Sequence, residues 1–360
     1  MRILVVTVVH HPQDARIYFR EINALLNRGH QVSFAAAFDS FPLNELDSRI
    51  ELINITRSSG RKRIKSLLDA RRILKSRSID FDLVLIHDPE LLFVASASQV
   101  PVVWDVHEDT VAAISGRDWI PNFLKRPLKK LIQKLETNAE KKYSLILAET
   151  DYQQRFRKVH TIVPNTVEIK PYIETHPDKS VIYLGSITSL RGAEVLLKVA
   201  ELIKPNGIKL ELVGDCPEPE LKNKIEQAQT GGNVIWHGFV PNEQARELLV
   251  GKLAGLSLLR KHPNYLVSQP TKIYEYQAAG IPVITTALPH AEKLINLSQS
   301  GFVVEFDDAE SVAERIIELA ADRSLWQKLG KNGHEYVMQH HNWNVDQNKF
   351  IAALEAALVK

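Results

Sequence analysis

Lys272 and Glu275 stand three residues apart in the segment Gln269-Pro-Thr-Lys-Ile-Tyr-Glu-Tyr-Gln-Ala-Ala-Gly-Ile-Pro-Val-Ile-Thr285. The segment reads as a loop, a short helix opened by Pro270 and closed by Gly280, and a buried strand. On a helix the two side chains share one face. A helix start offers free N–H groups and a partial positive charge, which suits a phosphate. A carboxylate one turn later can accept two hydrogen bonds from a ribose diol. The same spacing also fits a surface helix with a Lys–Glu pair, and spacing alone leaves both readings open.

A second stretch, Ile182-Tyr-Leu-Gly-Ser-Ile-Thr-Ser-Leu-Arg-Gly192, runs from a strand through a glycine turn into a helix. Gly185 allows a ligand to approach the backbone. Arg191, at the helix start, can grip a diphosphate through paired hydrogen bonds. The alternative is an ordinary strand–helix turn with an exposed Arg. No G-x-G-x-x-G follows this strand or the first one, which removes the dinucleotide reading.

In the first half, three loops follow strands: His10-His11-Pro-Gln-Asp-Ala-Arg16, His87-Asp-Pro-Glu90 and Asp105-Val-His-Glu-Asp109. His11, Asp14, Arg16, His87, Asp88 and Glu108 are expected there to hydrogen-bond sugar hydroxyls. Metal-ligand spacing such as H-E-x-x-H is absent, so no metal is expected. Asp80-Phe-Asp82 precedes a strand and so stands at the wrong end of the sheet for a metal-holding D-x-D. Cys216, the only cysteine, excludes an internal disulfide and fits a reducing compartment.

These loops need parallel sheets to position them. Strand-like runs at 2–8, 30–36, 83–86, 100–104, 145–148 and 161–163 alternate with helical stretches. One such stretch is 14–28, with Ile17, Ile22, Leu25 and Leu26 on one face. After a connection near 166–178 the pattern restarts, with strands at 181–184, 208–213, 234–236, 256–258, 283–285 and 302–304. Such alternation implies an α/β fold with two doubly wound, Rossmann-like parallel sheets, whose ligands bind at the strand carboxyl ends. The two halves are expected to face each other across a cleft.

At 360 residues, 44% hydrophobic and 24% charged, the chain fits a soluble two-domain protein. No apolar run approaches the ~20 residues that span a bilayer. The apolar run after Arg2 is too short for a signal peptide and reads as a first buried strand. Residues 1–172 hold 26 Lys/Arg against 20 Asp/Glu, and the remainder 19 against 23. The excess concentrates in Arg57 to Arg77 and in Arg117 to Lys134, where Trp119, Phe123, Leu128 and Leu131 alternate with basic residues. That pattern suits an anionic membrane surface, or equally a solvated helix face packed on its own domain. Without a recognition motif or stacking platform it does not point to nucleic acid.

Gly185…Arg191-Gly192, Leu212-Val-Gly214, His237-Gly-Phe239 and Pro270…Glu275…Gly280-Ile-Pro-Val-Ile284 resemble, in order, the second-half pattern of family-4 glycosyltransferases with the GT-B fold. His87-Asp-Pro, Asp105-Val-His-Glu108 and Val163-Pro-Asn165 resemble the first-half pattern, and Trp343 to Leu358 looks like the family's last helix. The resemblance implies an acceptor-side domain at 1–168, a nucleotide-sugar domain at 169–341, and a helix at 342–360 packing back on the first. It further implies that Glu275 holds the ribose hydroxyls and that Arg191 and Lys272 grip the diphosphate. Pro270, the N–H groups of Thr271 and Lys272, Gly185, Ser186 and Gly214 would complete that site. His107 would contact the donor sugar, and Asn165 would lie on the acceptor side. Two positions depart from the pattern. Val267 stands where the family often has a first Glu, and Ser186 where it commonly has Arg.

The expected function is retaining, metal-independent transfer of a sugar from a nucleotide-diphosphate donor, UDP- or GDP-linked, to an acceptor hydroxyl, with no cofactor. Polysaccharide, glycolipid or glycoconjugate synthesis is the expected setting. The location is expected to be the cytoplasm, with a lipid-linked or anionic acceptor at the inner membrane face. A nucleotide-sugar epimerase and a catalytically silent nucleotide-sugar binder are the alternatives. The epimerase lacks a clear acid–base pair, and Val267 and Ser186 favour the silent binder.

Overall fold

The computed structural model describes residues 1–39, 41–107, 122–266 and 271–359. The chain divides into two compact units, one formed by Met1–Asn165 with Trp343–Lys360 and the other by Thr166–Asn342. The division falls just before the expected one because Val167 and Ile169 are buried in the second unit's core.

The first unit is built on seven parallel strands: β1 (Arg2–Val6), β2 (Gln31–Ala36), β3 (Glu51–Asn54), β4 (Leu83–Ile86), β5 (Val102–Val106), β6 (Ser144–Leu147) and β7 (Thr161–Ile162). Their order is β3-β2-β1-β4-β5-β6-β7. Successive side chains of a strand point to opposite faces, and both faces are covered. Ile3, Val5, Phe34, Leu83 and Leu85 pack with Trp343, Phe350 and Leu354 of the last helix. Leu4, Val6, Val84, Ile86 and Trp104 pack with Ala70 and Leu74 of the helix Arg63–Arg77. Double burial is why these strands read as continuous apolar runs. β3 does not read that way. Its four residues, Glu-Leu-Ile-Asn, form a sheet edge with no fully buried position.

The expected helix over 14–28 is a composite. Ile17–Ile22 is wound as a π-helix and Asn23–Asn27 as an α-helix. The wide turn closes on i→i+5 bonds, among them the Glu21 N–H donating to the Arg16 carbonyl at 2.9 Å. It accounts for Ile17 and Ile22, five apart, both being fully buried.

The second unit carries six parallel strands: β8 (Ser180–Leu184), β9 (Lys209–Val213), β10 (Val234–Gly238), β11 (Ala254–Ser257), β12 (Val283–Thr286) and β13 (Gly301–Val304). Their order is β10-β9-β8-β11-β12-β13. One core includes these strands and the apolar faces of Ala193–Ile203, Pro289–Ser298 and Ala309–Ala321. Strand order reverses between β1 and β4 in one sheet and between β8 and β11 in the other. Such switch points are where doubly wound sheets open a crevice at their carboxyl ends. Among the described residues no helix is long and apolar enough to cross a membrane.

Candidate functional site

In the second unit, the β8–β11 ladder pairs Val181 with Ala254 and Ile182 with Gly255, and then the strands part. Tyr276, from the helix Thr271–Ala278, fills the gap. Its buried hydroxyl accepts from the Leu184 N–H (3.0 Å) and donates to the Leu256 carbonyl (3.0 Å). Gly255 leaves room for the ring, since a Cβ there would overlap it. Tyr276 thus pins to the sheet the helix that carries Lys272 and Glu275.

Beside this anchor, β8 runs out into Gly185, at φ +115°, with its N–H held by the Val213 carbonyl at 2.8 Å. A Cβ on Gly185 would lie 3.3 Å from the Arg191 guanidinium and 3.8 Å from Lys272 Nζ. Gly214, after β9, passes so close to Gly185 that a side chain there would overlap the Gly185 carbonyl. Trp236 Nε1 steadies that turn by donating to the Gly214 carbonyl at 2.9 Å. Two backbone turns and two cations therefore meet at the carboxyl ends of β8 and β9.

Lys272 defines the electrostatics. Part of its side chain reaches the surface, but Nζ is buried and has no hydrogen-bond partner among the described residues. It sits 3.8 Å from the centroid of the Tyr183 ring. Burial, and then the nearby Arg191 charge, lower its pKa to about 7, with Glu275 opposing. Tyr183 is itself held rigidly. Its hydroxyl donates to the Ser186 carbonyl at 2.9 Å, and burial pushes its pKa up to about 12. A buried ammonium beside a guanidinium with no hydrogen-bonded anion is costly as it stands and is relieved by an anionic ligand. A cavity of about 150 Å³, lined by Tyr172, Leu249, Val250, Ala278 and Ala279, also touches Glu275 but neither cation. The two cations lie outside that cavity, against the turns at Gly185 and Gly214. Gly280 closes the helix as expected, whereas Pro270 and Val267 fall outside the described residues.

In the first unit, the loops after β1, β4, β5 and β7 converge. Asp105, at the end of β5, accepts from Arg16 through both oxygens, Nε to Oδ2 and Nη2 to Oδ1, each at 2.7 Å. Arg16 also donates to the Val163 carbonyl and to Asn165 Oδ1, both at 3.0 Å, and lies 3.0 Å from Glu21. Two buried carboxylates thus flank one guanidinium. Burial would raise both. Arg16, with the His107 and His87 hydrogen bonds, holds Asp105 well below the usual carboxylate range. Burial and the Asp105 charge push Glu21 well above it. His87 Nδ1 and His107 Nδ1 face Asp105 Oδ2 at 3.3 and 2.9 Å, and burial lowers the His87 pKa.

Arg16, His87 and Asp88 are almost wholly buried. Their polar atoms turn inward and hold the loops. Asp88 Oδ2 accepts from Thr7 Oγ1 at 2.9 Å and from the Val8 N–H at 2.6 Å. Asp14, Asn165 and His107 are partly exposed, and His11 is exposed, with its ring edge-on to Phe41. Glu108 lies outside the described residues. His87, Asp105 and His107 bring three ligand-type atoms within 4.8 Å of one another, a grouping that sequence spacing did not reveal. The Arg16 guanidinium already occupies both oxygens of that carboxylate, which opposes a second cation there. Asp82, by contrast, accepts from the Arg2 N–H at the opposite end of the sheet, as expected for the Asp80–Asp82 pair. Sequence reasoning did not single out Tyr183, Tyr276 or Glu21, since aromatic and acidic residues inside helices and strands carry no local signal.

The family profile "Glycosyl transferases group 1" matches residues 166–336, and "Glycosyltransferase Family 4" matches residues 15–169. An uncharacterized glycosyltransferase of Haemophilus influenzae is 22% identical over 329 residues, covering 87% of this chain and 88% of its own length. The Staphylococcus aureus capsular polysaccharide biosynthesis glycosyltransferase CapM is 40% identical over 159 residues, covering 43% of this chain and 40% of its own. In fold, the chain is similar to Anabaena HepE, solved in complex with UDP, with TM-score 0.72 at 14% identity over 99% of this chain and 100% of that one. The two profiles fall in turn on the two parallel-sheet units, and the chain belongs to the family-4 glycosyltransferases of the GT-B fold.

Proposed function

We propose that this glycosyltransferase takes its sugar from a nucleoside diphosphate donor and passes it, with retention, to an acceptor hydroxyl in polysaccharide or glycoconjugate synthesis. The observation that carries the donor assignment is Lys272 Nζ, buried without a hydrogen-bond partner among the described residues, beside Arg191 and over Gly185. A diphosphate supplies the missing negative charge and fits backbone turns that tolerate no side chain. Gly185, Ser186, Gly214 and the helix start at Thr271 and Lys272 cradle it. Glu275, one turn along, takes the ribose hydroxyls. UDP is the first nucleotide to test, since HepE is solved with UDP. The polysaccharide setting draws support from the name of CapM.

Arg191 and Lys272 take up the charge that develops on the leaving diphosphate, and the helix start adds its dipole. The positive charge is thus supplied by side chains rather than by a divalent ion. The leaving phosphate serves as base for attack on the same face of the sugar. His107 contacts the sugar, with Asn165, His11 and Asp14 toward the acceptor. Arg16, His87 and Asp88 act through them. The exposed Ile64 and Leu68 among the basic residues of Arg63–Arg77, and Leu131 in the basic helix Asn122–Lys142, fit peripheral contact with anionic lipid.

Purified protein incubated with UDP- and GDP-sugars and a panel of hydroxyl acceptors tests the reading. Diphosphate release with a glycosylated product supports it. Formation of an isomeric nucleotide sugar assigns an epimerase instead, and binding without turnover assigns a silent binder. Flotation with anionic vesicles at low and high salt tests the membrane contact.

A further inference from the structure

The loop after β1 sets a second imidazole against His107. His10 Nε2 lies 3.1 Å from His107 Nε2, and the rings are tilted with centroids 4.8 Å apart. Two facing nitrogens at that distance need one hydrogen between them. Which ring carries it follows from their other contacts. His107 Nδ1 lies 2.9 Å from Asp105, a carboxylate held ionised by Arg16, so Nδ1 is the donor and carries the hydrogen. With one hydrogen committed to Nδ1, a neutral His107 presents a lone pair at Nε2. His10 is flanked by acceptors on both sides, Asp14 Oδ2 at 3.5 Å from Nδ1 and Asp88 Oδ1 at 3.3 Å from Nε2. Its contact with Asp14 helps to hold that carboxyl well below the usual range against the effect of burial. His10 Nε2 is therefore the donor in the imidazole pair, and the flanking carboxylates of Asp14 and Asp88 place negative charge beside its ring.

We propose that His10 is a positioning residue that donates Nε2–H to His107 and so holds His107 with Nε2 as a hydrogen-bond acceptor for a sugar hydroxyl. An arriving hydroxyl replaces the His10 N–H at that nitrogen, and the His10 N–H turns fully to Asp88 Oδ1, already within reach. His107 then reads the sugar by accepting a hydrogen bond. The recognition step rests on the proposed sugar transfer, whereas the tautomer assignment does not.

Full-length protein labelled with ¹⁵N-histidine, read by long-range ¹H–¹⁵N correlation at neutral pH, tests the assignment without any substrate. The expected spectrum shows hydrogen on His10 Nε2, and His107 protonated at Nδ1 with a pyridine-type Nε2. A protonated Nε2 on His107, or a His10 without hydrogen on Nε2, overturns the proposal. In the transfer assay, His10→Phe is expected to lower kcat/KM about tenfold through loss of one donated hydrogen bond. His10→Gln, which keeps an N–H donor, is expected to recover most of that loss. Equal loss in both variants overturns the positioning role. If His10→Phe fails to fold, the wild-type spectrum and His10→Gln still decide it. Were the protein inactive on every nucleotide sugar, the proposed function would fail while the spectrum still judged the histidine pair.

Discussion

In the proposed donor site, Lys272 ties diphosphate binding to proton uptake. In the free protein its pKa is lowered to about 7 by burial and by Arg191. A diphosphate placed against Nζ restores the ammonium, so its bound pKa returns toward the ordinary value near 10.4. At pH 8 only about one free molecule in eleven carries the charge, so binding takes up about 0.9 proton. From pH 7 to pH 9 the charged fraction of the free protein falls from about one half to about one hundredth. The dissociation constant should therefore weaken about fiftyfold, or about 2.3 kcal/mol. Lys272→Met removes this dependence and leaves only the ionisation of the diphosphate itself.

Calorimetry of UDP binding in two buffers of different ionisation enthalpy measures the uptake directly. The same titration at several pH values gives the slope. Uptake near zero at pH 8, or a pH profile shared by wild type and Lys272→Met, would refute the placement of the diphosphate at Nζ. Stability gives an independent check of sign. Because the folded pKa is depressed, the unfolded chain binds this proton more tightly between about 7 and 10.4, so free-protein stability from this group rises with pH across that window. It is fully present above the upper value and lost as pH falls through about 7. Bound UDP should flatten that rise.

Three further outcomes are expected. Tyr276→Phe leaves the Leu184 N–H and the Leu256 carbonyl unpaired and should cost about 1–3 kcal/mol in urea unfolding, with weaker UDP binding as the helix start shifts. Glu275→Ala should remove ~2–4 kcal/mol of UDP binding but little from a 2′,3′-dideoxy analogue, and an equal loss for both ligands would take the ribose away from Glu275. Glu21→Gln should be nearly neutral at pH 4 and gain on wild type toward pH 7. Glu21 has a raised folded pKa, so its contribution is complete below about 4.5 and declines as pH rises above that. Asp105→Asn should instead cost about 3–5 kcal/mol at pH 7, because Arg16 loses its ionised partner. Its depressed pKa makes that contribution present above the ordinary carboxylate range and lost on acidification.

Both sheets were legible because their central strands are buried on two faces, and a run such as Ile3 to Val6 cannot be anything polar. β3 was not legible. Glu51–Asn54 sits at an edge, and its pairing comes from β2 rather than from its own pattern. The first helix carried its apolar residues openly, but its π-turn, beside the buried Arg16–Glu21 pair, is announced by no periodicity. At the proposed donor site, spacing placed Lys272 and Glu275 on one helix face and Arg191 at a glycine turn. It could not tell that Nζ is buried or that Tyr183 lies beneath it. Those facts depend on β8 and on the helix start being brought together by Tyr276, across more than ninety residues of sequence.

The two units solve one physical problem with different chemistry. Where the strand order reverses, the ladder must end, and the next backbone groups need partners away from water. At β8 and β11 a neutral phenol provides them, with Tyr276 bridging Leu184 and Leu256. At β1 and β4 a carboxylate does so, with Asp88 accepting from the Val8 N–H and Thr7 Oγ1 once the pairing of Val6 with Ile86 has ended. The choice has consequences. A phenol adds no charge of its own beside Arg191 and Lys272, whose Nζ has no hydrogen-bond partner among the described residues. A carboxylate imposes negative charge, which draws in His10, while the neighbouring Asp105 binds Arg16, His87 and His107. These loops therefore bring paired imidazoles and carboxylates together, in keeping with the hydroxyl ligands proposed for them. Asp88→Asn tests this directly. It keeps an acceptor for Val8 but replaces the carboxylate opposite His10, so the ¹⁵N resonances of His10 should move while those of His334 in the second unit stay in place; unmoved His10 resonances would refute the argument.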